Sequence, residues 1–250
     1  MRVIRHNGYI SSRKRRARWM AFLGFLILTS TLWIALNPAL LLPAYIAMFA
    51  GFIIFNIGMQ QVGKWSRNPR NDQFLDALLR DKLSDKFVLV HFPPIGKRKT
   101  EHLLWHPGGL MAITMREIDG TIIERGRRWS RKGIGLRRLL AFSGPQLGHP
   151  GDDTDQSIKE VEGYLGERQL EFEVGGVVVF FHPSVELDIE DPEYPVLLGD
   201  ELSSFLNSLE PDTSITTAER EAFLQPLTEG VDVEVPKVEG RRRPVRRKAA

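Results

Sequence analysis

The first feature of the hydrophobic pattern is an uninterrupted apolar stretch near the N-terminus. Residues 19–63 contain no charged side chain, and most of them are Leu, Ile, Ala, Phe or Met. A single helix of that length would extend about 67 Å, roughly twice the hydrocarbon core of a bilayer. Proline is disfavoured in a helix interior but accepted in a first turn, so Pro38 and Pro43 mark where the chain turns back. The pattern predicts two transmembrane helices, at about residues 19–36 and 43–62.

Two other interpretations fit this stretch less well. A signal peptide also has a basic start, but its apolar core is shorter and is followed by a cleavage site of small residues. Helices buried in the core of a soluble protein usually alternate apolar with polar positions. Because a second apolar segment follows the first, we interpret the stretch as a membrane-spanning hairpin.

The charges beside the hairpin predict its orientation. Residues 1–18 contain seven cations and no acid, and Lys64, Arg67 and Arg70 follow the second span, whereas the turn carries no charge. An excess of Lys and Arg marks the cytoplasmic side of a membrane protein. We therefore expect a basic cytoplasmic arm at residues 1–18 and both termini in the cytoplasm. The absence of cysteine is compatible with that reducing compartment.

Beyond the hairpin, the apolar periodicity predicts a small α/β domain. The predicted helices cover residues 71–84, 152–170, 200–209 and 216–224, and the predicted strands cover residues 87–92, 102–105, 110–116, 121–124 and 177–181. Short strands joined by turns that contain glycine predict an antiparallel meander within a mixed sheet of three to five strands. Residues 125–149 are expected to form a long basic loop. Residues 236–250, rich in Arg, Lys and Pro, are expected to be a disordered tail.

Charge is distributed unevenly along the soluble part. The net charge is +9 for residues 64–149, −19 for residues 150–235 and +6 for the last fifteen residues. A nucleic-acid site would therefore have to lie in the first half, where one basic segment offers seven cations for phosphate contacts. These cations are Arg125, Arg127, Arg128, Arg131, Lys132, Arg137 and Arg138.

Residues 101–116 read EHLLWHPGGLMAITMR and resemble the central hairpin of the nuclease-related domain (NERD), a family similar in fold to the PD-(D/E)XK nucleases. The shared features are an acidic residue followed by His, an aliphatic strand, a Pro-Gly-Gly turn and a second strand. The resemblance extends over about residues 68–185. It implies a mixed-sheet α/β domain of the restriction-endonuclease-like type at residues 64–185, so the fold class expected for the chain is this domain preceded by the transmembrane hairpin that the hydrophobic pattern predicts. A helical extension at residues 186–235 is expected to follow.

The resemblance also implies the positions of a metal-dependent nuclease site. In the family, two carboxylates hold Mg²⁺ and a lysine two residues after the second one acts on the attacking water. The matching positions here are Glu101, Thr114, Arg116 and Gln156. A hydroxyl is a poor Mg²⁺ ligand, and an arginine that stays protonated is a poor proton shuttle. We therefore expect Glu101 to bind a metal weakly, no firmly held cofactor, and a degenerate domain that acts as a nucleic-acid-binding or scaffold module.

Two other functions remain open at this point. An active Mg²⁺-dependent nuclease would need its second carboxylate from another position, for which Asp72 is the candidate. Alternatively, the basic segments bind anionic lipid headgroups, because each Lys or Arg close to a membrane surface contributes about 1 kcal/mol. The partners under consideration are thus the lipid bilayer, DNA or RNA, and anionic lipid headgroups. The sequence identifies no protein partner.

Overall fold

The computed structural model describes residues 1–97, 100–133, 146–212, 215–229, 231 and 233–234. Within them the helices are α1 (Asn7–Ile34), α2 (Leu41–Ser66), α3 (Asn71–Leu79), α4 (Pro150–Gly166), α5 (Leu202–Ser208) and α6 (Thr217–Thr228), and Pro38–Leu40 forms a 3₁₀ turn. The strands are β1 (Arg2–Arg5), β2 (Val88–His91), β3 (His102–His106), β4 (Gly109–Arg116), β5 (Gly120–Arg125), β6 (Arg128–Lys132), β7 (Val174–Phe180), β8 (Val185–Glu190), β9 (Val196–Leu198) and β10 (Val233–Glu234).

Helices α1 and α2 form an antiparallel hairpin, and both are long and apolar enough to cross a membrane. Glycines allow their backbones to approach closely. A Cβ atom on Gly24 would lie 2.3 Å from the backbone nitrogen of Phe55, and one on Gly58 would lie 2.3 Å from that of Ala21. Such small-residue contacts are typical of helix pairs in membranes.

Helix α1 begins twelve residues before the apolar stretch, so most of the basic N-terminal segment is helical. We call residues 7–18 of α1 and 63–66 of α2 the stalk, because together they connect the apolar part of the hairpin to the sheet. The stalk carries six cations, and four of them follow one another closely along α1 without an acidic partner among the described residues. These four stalk cations are Lys14, Arg15, Arg16 and Arg18.

The main sheet has seven strands among the described residues, in the order β10-β1-β2-β3-β4-β7-β9. Strands β2, β3 and β4 form the predicted antiparallel meander, and β7 lies parallel to β4. Strand β9 is parallel to β7, and at the other end β1 is parallel to β2 and antiparallel to β10. The sheet is therefore mixed, as predicted, but wider than the expected three to five strands.

The expected free basic arm at residues 1–18 needs correction, because its first residues belong to the sheet. Val3 and Ile4 on β1 are buried, and β1 pairs along its whole length with β2. Burial of these two aliphatic side chains on opposite faces of the sheet favours the strand. The soluble domain is thus built from chain on both sides of the hairpin.

Helices cover both faces of the main sheet. Helices α3 and α5 lie on one face through Leu75, Leu79, Leu202 and Leu206, among other residues. Helices α4 and α6 lie on the opposite face, where their apolar side chains surround Trp105. The result is a three-layer α/β/α arrangement in which each face of the sheet has its own hydrophobic core.

A second sheet holds three strands of the described residues, in the order β6-β5-β8. The predicted strand at residues 121–124 is the centre of this sheet and does not continue the meander. Part of the expected loop at residues 125–149 is strand β6, while residues 134–145 lie outside the described residues. The extension at residues 186–235 was predicted to be helical but also contains β9, β10 and most of β8. The predicted tail, residues 236–250, lies outside the described residues.

Aromatic packing and two ion pairs join the hairpin to the domain. Tyr9 and Trp65 of the stalk contact Phe92, which follows β2, with ring centroids 5.7 and 5.4 Å from that of Phe92. Lys64 of α2 pairs with Glu101, and Arg67 after α2 pairs with Glu117. The stalk is therefore fixed on the sheet at the end where β1 passes into α1.

Candidate functional site

Glu101, the expected first metal ligand, directly precedes β3 and is bound to the hairpin. Its Oε1 atom accepts a hydrogen bond of 2.6 Å from the Nζ atom of Lys64. Burial opposes ionisation of Glu101, but the charges of Lys64, His102 and Arg116 and this hydrogen bond outweigh it and lower the pKa of Glu101. The carboxylate is therefore ionised and neutralised by a lysine of the same chain.

Thr114 and Arg116 lie on the face of β4 that points towards α4, as expected of positions two apart on a strand. The hydroxyl oxygens of Thr114 and Thr154 are 2.7 Å apart, and both residues are buried. Arg116 forms an ion pair with Asp153 and donates a hydrogen bond of 3.1 Å to the carbonyl of Leu147. The first turn of α4 and the segment directly before it thus hold both side chains.

The other two expected site residues lie elsewhere. Gln156 is exposed, whereas Thr154 and Ser157 beside it are the α4 residues that face the sheet. Asp72 lies on α3, which covers the opposite face of the sheet from Thr114. The hypothesis that Asp72 supplies a relocated carboxylate beside Thr114 is therefore wrong, because the sheet separates the two side chains.

The structure reveals a buried polar cluster that the sequence analysis missed. Arg5, His91 and His102 occupy neighbouring positions on β1, β2 and β3, and Asp72 and Asp76 of α3 cover them. The Nε atom of Arg5 lies 2.9 Å from Oδ2 of Asp72, and Arg5 also pairs with Asp76. His91 Nε2 lies 2.8 Å from Asp76 Oδ1, and His91 Nδ1 lies 2.8 Å from His102 Nδ1. We call these five residues the buried cluster.

Electrostatics fix the charge states in the buried cluster. Burial, reinforced by the neighbouring His91, lowers the pKa of His102 to about 3, so this ring is neutral at physiological pH. Burial works against ionisation of Asp72, but hydrogen bonds from Arg70 and the charges of His91, Arg70 and Arg5 outweigh it and lower its pKa. The His102 Nε2 atom is buried and has no hydrogen-bond partner among the described residues.

Three of the seven cations proposed for phosphate contacts are paired with acids of the same domain. Arg125 pairs with Asp188 and Glu190 at 2.7 and 2.6 Å. The other ion pairs are Arg127 with Asp155 and Glu193, and Arg131 with Asp119. Arg128 and Lys132 are exposed, and Arg137 and Arg138 lie outside the described residues. Arg125 and Arg127 thus pair with acids of residues 150–235, the acidic half of the soluble part.

The side chains at the expected metal site do not fit a Mg²⁺ ion. Its one carboxylate, Glu101, has a lysine at hydrogen-bond distance, and the hydroxyl of Thr114 is turned to Thr154. Over the described parts of the chain, no group of three or more His, Asp or Glu side chains is placed to hold a metal ion. The arrangement supports ion pairing between the domain and the hairpin.

Comparison with protein-family models, curated proteins and solved structures finds no match for this chain.

Proposed function

We propose that this chain is a two-span membrane protein that holds a catalytically inactive nuclease-like α/β domain against the cytoplasmic face of a membrane, where the domain acts as a scaffold. The pairing of Glu101 with Lys64 is the observation that carries the proposal. It replaces a metal ligand with an anchoring contact, so the degenerate site serves as part of the joint to the hairpin.

The distribution of exposed hydrophobic residues supports membrane insertion. Within the described residues, all twenty exposed large hydrophobic side chains lie between Trp19 and Met59. Trp33 and Leu42 near the turn are 79% and 72% exposed. A soluble protein rarely exposes so large a contiguous apolar surface, whereas a bilayer would cover it.

The connectivity of the sheet supports an even number of membrane crossings. Strand β1 precedes the hairpin and β2 follows it, and the two strands are hydrogen-bonded neighbours. Both must therefore lie on the same side of the membrane, which two spanning helices achieve. The stalk cations favour the cytoplasm as that side.

The order of elements supports a nuclease-like fold. Helix α3, strands β2, β3 and β4, helix α4 and strand β7 follow one another as the NERD resemblance implies. The first three strands are antiparallel and the fourth lies parallel to the third. We infer that strand β1 and the second sheet are additions to this core.

Catalytic activity is tested with the full chain in detergent micelles, because β1 makes the N-terminus part of the domain. We expect no cleavage of DNA or RNA in the presence of Mg²⁺ or Mn²⁺, with or without Lys64→Ala, which frees the Glu101 carboxylate. Metal-dependent cleavage that Glu101→Ala abolishes would overturn the inactive assignment and favour a working nuclease.

Topology is tested independently by cysteine labelling, since the chain contains no cysteine of its own. Single variants Ser12→Cys in the stalk and Ser208→Cys in the domain should react with an impermeant maleimide from the same side of sealed vesicles. Asn37→Cys in the turn should react only from the opposite side. Labelling of all three from one side would contradict the two-span arrangement.

A further inference from the structure

The surface of α1 carries an open groove where the stalk meets the apolar stretch. Its volume is about 600 Å³. The residues that line it are Ser11, Lys14, Arg15, Arg18, Trp19 and Phe22. Their spacing of three, four, seven and eight places them on one side of the helix, away from the side on which Ala17 and Ala21 are buried.

The groove is chemically divided along the helix axis. Three of its residues are cations, and they lie on the side of the sheet. Trp19 and Phe22 lie towards the apolar part, with their rings edge to face and centroids 5.8 Å apart. Tryptophan is enriched at the boundary between headgroups and hydrocarbon, which places the cations at headgroup depth once the hairpin is inserted. The groove is therefore cationic at the end nearer the sheet and aromatic at the end nearer the apolar stretch.

The groove cations are available to a ligand. The first 63 residues contain no acid, and within the described residues neither Lys14, Arg15 nor Arg18 has an ion-pair partner. By contrast, Arg13 on the same helix contacts Tyr9 through its side chain, and Lys64 of α2 is held by Glu101. Arginine binds phosphate through paired, geometrically defined hydrogen bonds.

We propose that this groove is a binding site for an anionic phospholipid of the leaflet nearest the soluble domain. Lys14, Arg15 and Arg18 surround the headgroup phosphate, and Trp19 and Phe22 contact the first part of an acyl chain. The proposal rests on the membrane insertion proposed above. It differs from general attraction to a charged surface, because it assigns different roles to neighbouring cations.

Arg16 provides the matched control for this difference. It is exposed and has the same charge and nearly the same depth as Arg15, but it does not line the groove. If general electrostatic attraction to the membrane surface were the cause, Arg15 and Arg16 would contribute equally to the preference for anionic lipid. Such attraction depends on the distance from the surface and not on the side of the helix. A site requires that Arg15 and Arg18 matter more.

The test uses the full chain in phosphatidylcholine vesicles that contain a minor fraction of brominated phosphatidylglycerol, which quenches nearby tryptophans. We expect stronger quenching than with brominated phosphatidylcholine, and loss of most of that excess in Trp19→Phe. Arg15→Gln and Arg18→Gln should each weaken the preference for the anionic lipid about fivefold, the change expected for one phosphate contact near a membrane. Arg16→Gln should change it by less than about twofold.

Two controls separate the possible outcomes. If Arg15→Gln and Arg16→Gln weaken the preference for the anionic lipid equally, the lipid site is overturned. The same holds if the protein resists extraction by carbonate but shows no preference for the anionic lipid. Both outcomes leave the proposed anchoring intact. Release of the protein from vesicles by carbonate would overturn the anchoring itself. Displacement of the brominated lipid by glycerol phosphate would show a site for free phosphate esters and would also overturn the assignment to lipid.

Discussion

The stalk and the region of β5 and β6 are both rich in arginine, but their cations have different surroundings. In the β5–β6 region, Arg125, Arg127 and Arg131 contact carboxylates of the same domain. Among the described residues, no acidic side chain pairs with any of the four stalk cations. Three arginines of the β5–β6 region are thus neutralised by the protein, whereas three of the four stalk cations are the ones proposed above to meet a lipid.

The cause lies in where the acids are placed. Residues 150–235 contain 22 acids and three bases, and the fold brings Asp155, Asp188 and Glu193 of this half next to the basic strands. No acid precedes residue 64. A count of cations along a sequence therefore does not identify a polyanion site, because the carboxylates that neutralise them are distant in sequence.

The largest expected effect contrasts a buried arginine with an exposed one. Arg5→Met should destabilise the domain by about 3–5 kcal/mol, because it removes the buried cation that pairs with both Asp72 and Asp76 and leaves them only Arg70 and His91 as partners. Denaturant unfolding of the full chain in micelles, followed by tryptophan fluorescence, measures this loss. Arg16→Met removes an exposed cation and should change stability by less than about 0.5 kcal/mol. Similar losses for both variants would contradict the role of the buried cluster.

A second prediction extends the contrast to histidines. Because the pKa of His102 falls from an ordinary value of 6.5 to about 3 on folding, the unfolded chain binds its proton first as the pH drops. The stabilisation is therefore complete above pH 6.5 and declines below it, by about 2 kcal/mol at pH 5. The lowered pKa of Asp72 adds a further loss in more acidic solution.

Unfolding experiments at several pH values measure this slope. His102→Gln should flatten it between pH 6.5 and 5, whereas His149→Gln, which changes an exposed residue, should leave it intact. An unchanged slope in His102→Gln would mean that another group carries the acid sensitivity.

A third prediction tests whether paired arginines can be converted into ligand-binding ones. The double variant Asp188→Asn with Glu190→Gln frees Arg125 and should create measurable DNA binding. Each additional phosphate bound should steepen the dependence of log affinity on log salt by about 0.9. Glu186→Gln removes an acid from the same strand that contacts Thr121 and not Arg125, so it is the matched control. Equal binding by the control would point to net charge as the cause.

The smallest expected effect concerns two lysines of the stalk. Lys64→Met removes the pair with Glu101, in which both side chains are partly exposed, and should cost less than about 1 kcal/mol. Lys14→Met removes a cation without an acidic partner and should not change stability. The comparison uses the same unfolding assay, and a larger loss for Lys14→Met would show that stalk cations stabilise the fold directly.

The elements that local pattern determines could be predicted from the sequence. The hairpin follows from an uncharged stretch too long for one span, and β3 and β4 follow from apolar runs on either side of a glycine turn. Helix α4 and strand β7 were predicted within a few residues of their ends. In each case the hydrophobic period lies within the element itself, and the turn residues lie directly beside it.

Strand β1 could not be predicted in this way, because the residues that stabilise it are distant in sequence. Arg2 and Arg5 flank only two aliphatic residues, which is the composition of an exposed arm. The sequence of α3 does indicate that a basic residue packs against this helix. Asp72 and Asp76 share the helix face of Leu75 and Leu79, and acids on a buried face require a cation. The sequence does not reveal which of 34 basic residues supplies it.

The expected site was predicted only in part for a related reason. The alternation of β4 correctly placed Thr114 and Arg116 on one face, but Gln156 is exposed and Asp72 lies on the other side of the sheet. The partner of Glu101 is a lysine of the hairpin, 37 residues earlier in the chain. Matching a residue to a family pattern predicts where its backbone lies in the fold. Which residue its side chain contacts depends on the rest of the chain.

The position of β1 has a consequence for biosynthesis. This strand leaves the ribosome before the hairpin, whereas its neighbour β2 begins at Val88, after both helices of the hairpin have been made. Closing so long a loop is entropically costly, and the contact order it imposes slows folding. If the hairpin inserts into a membrane as proposed, its insertion brings the ends of that loop together before β2 emerges. Membrane insertion would then act as a checkpoint, because a chain whose hairpin fails to insert cannot readily complete its central sheet.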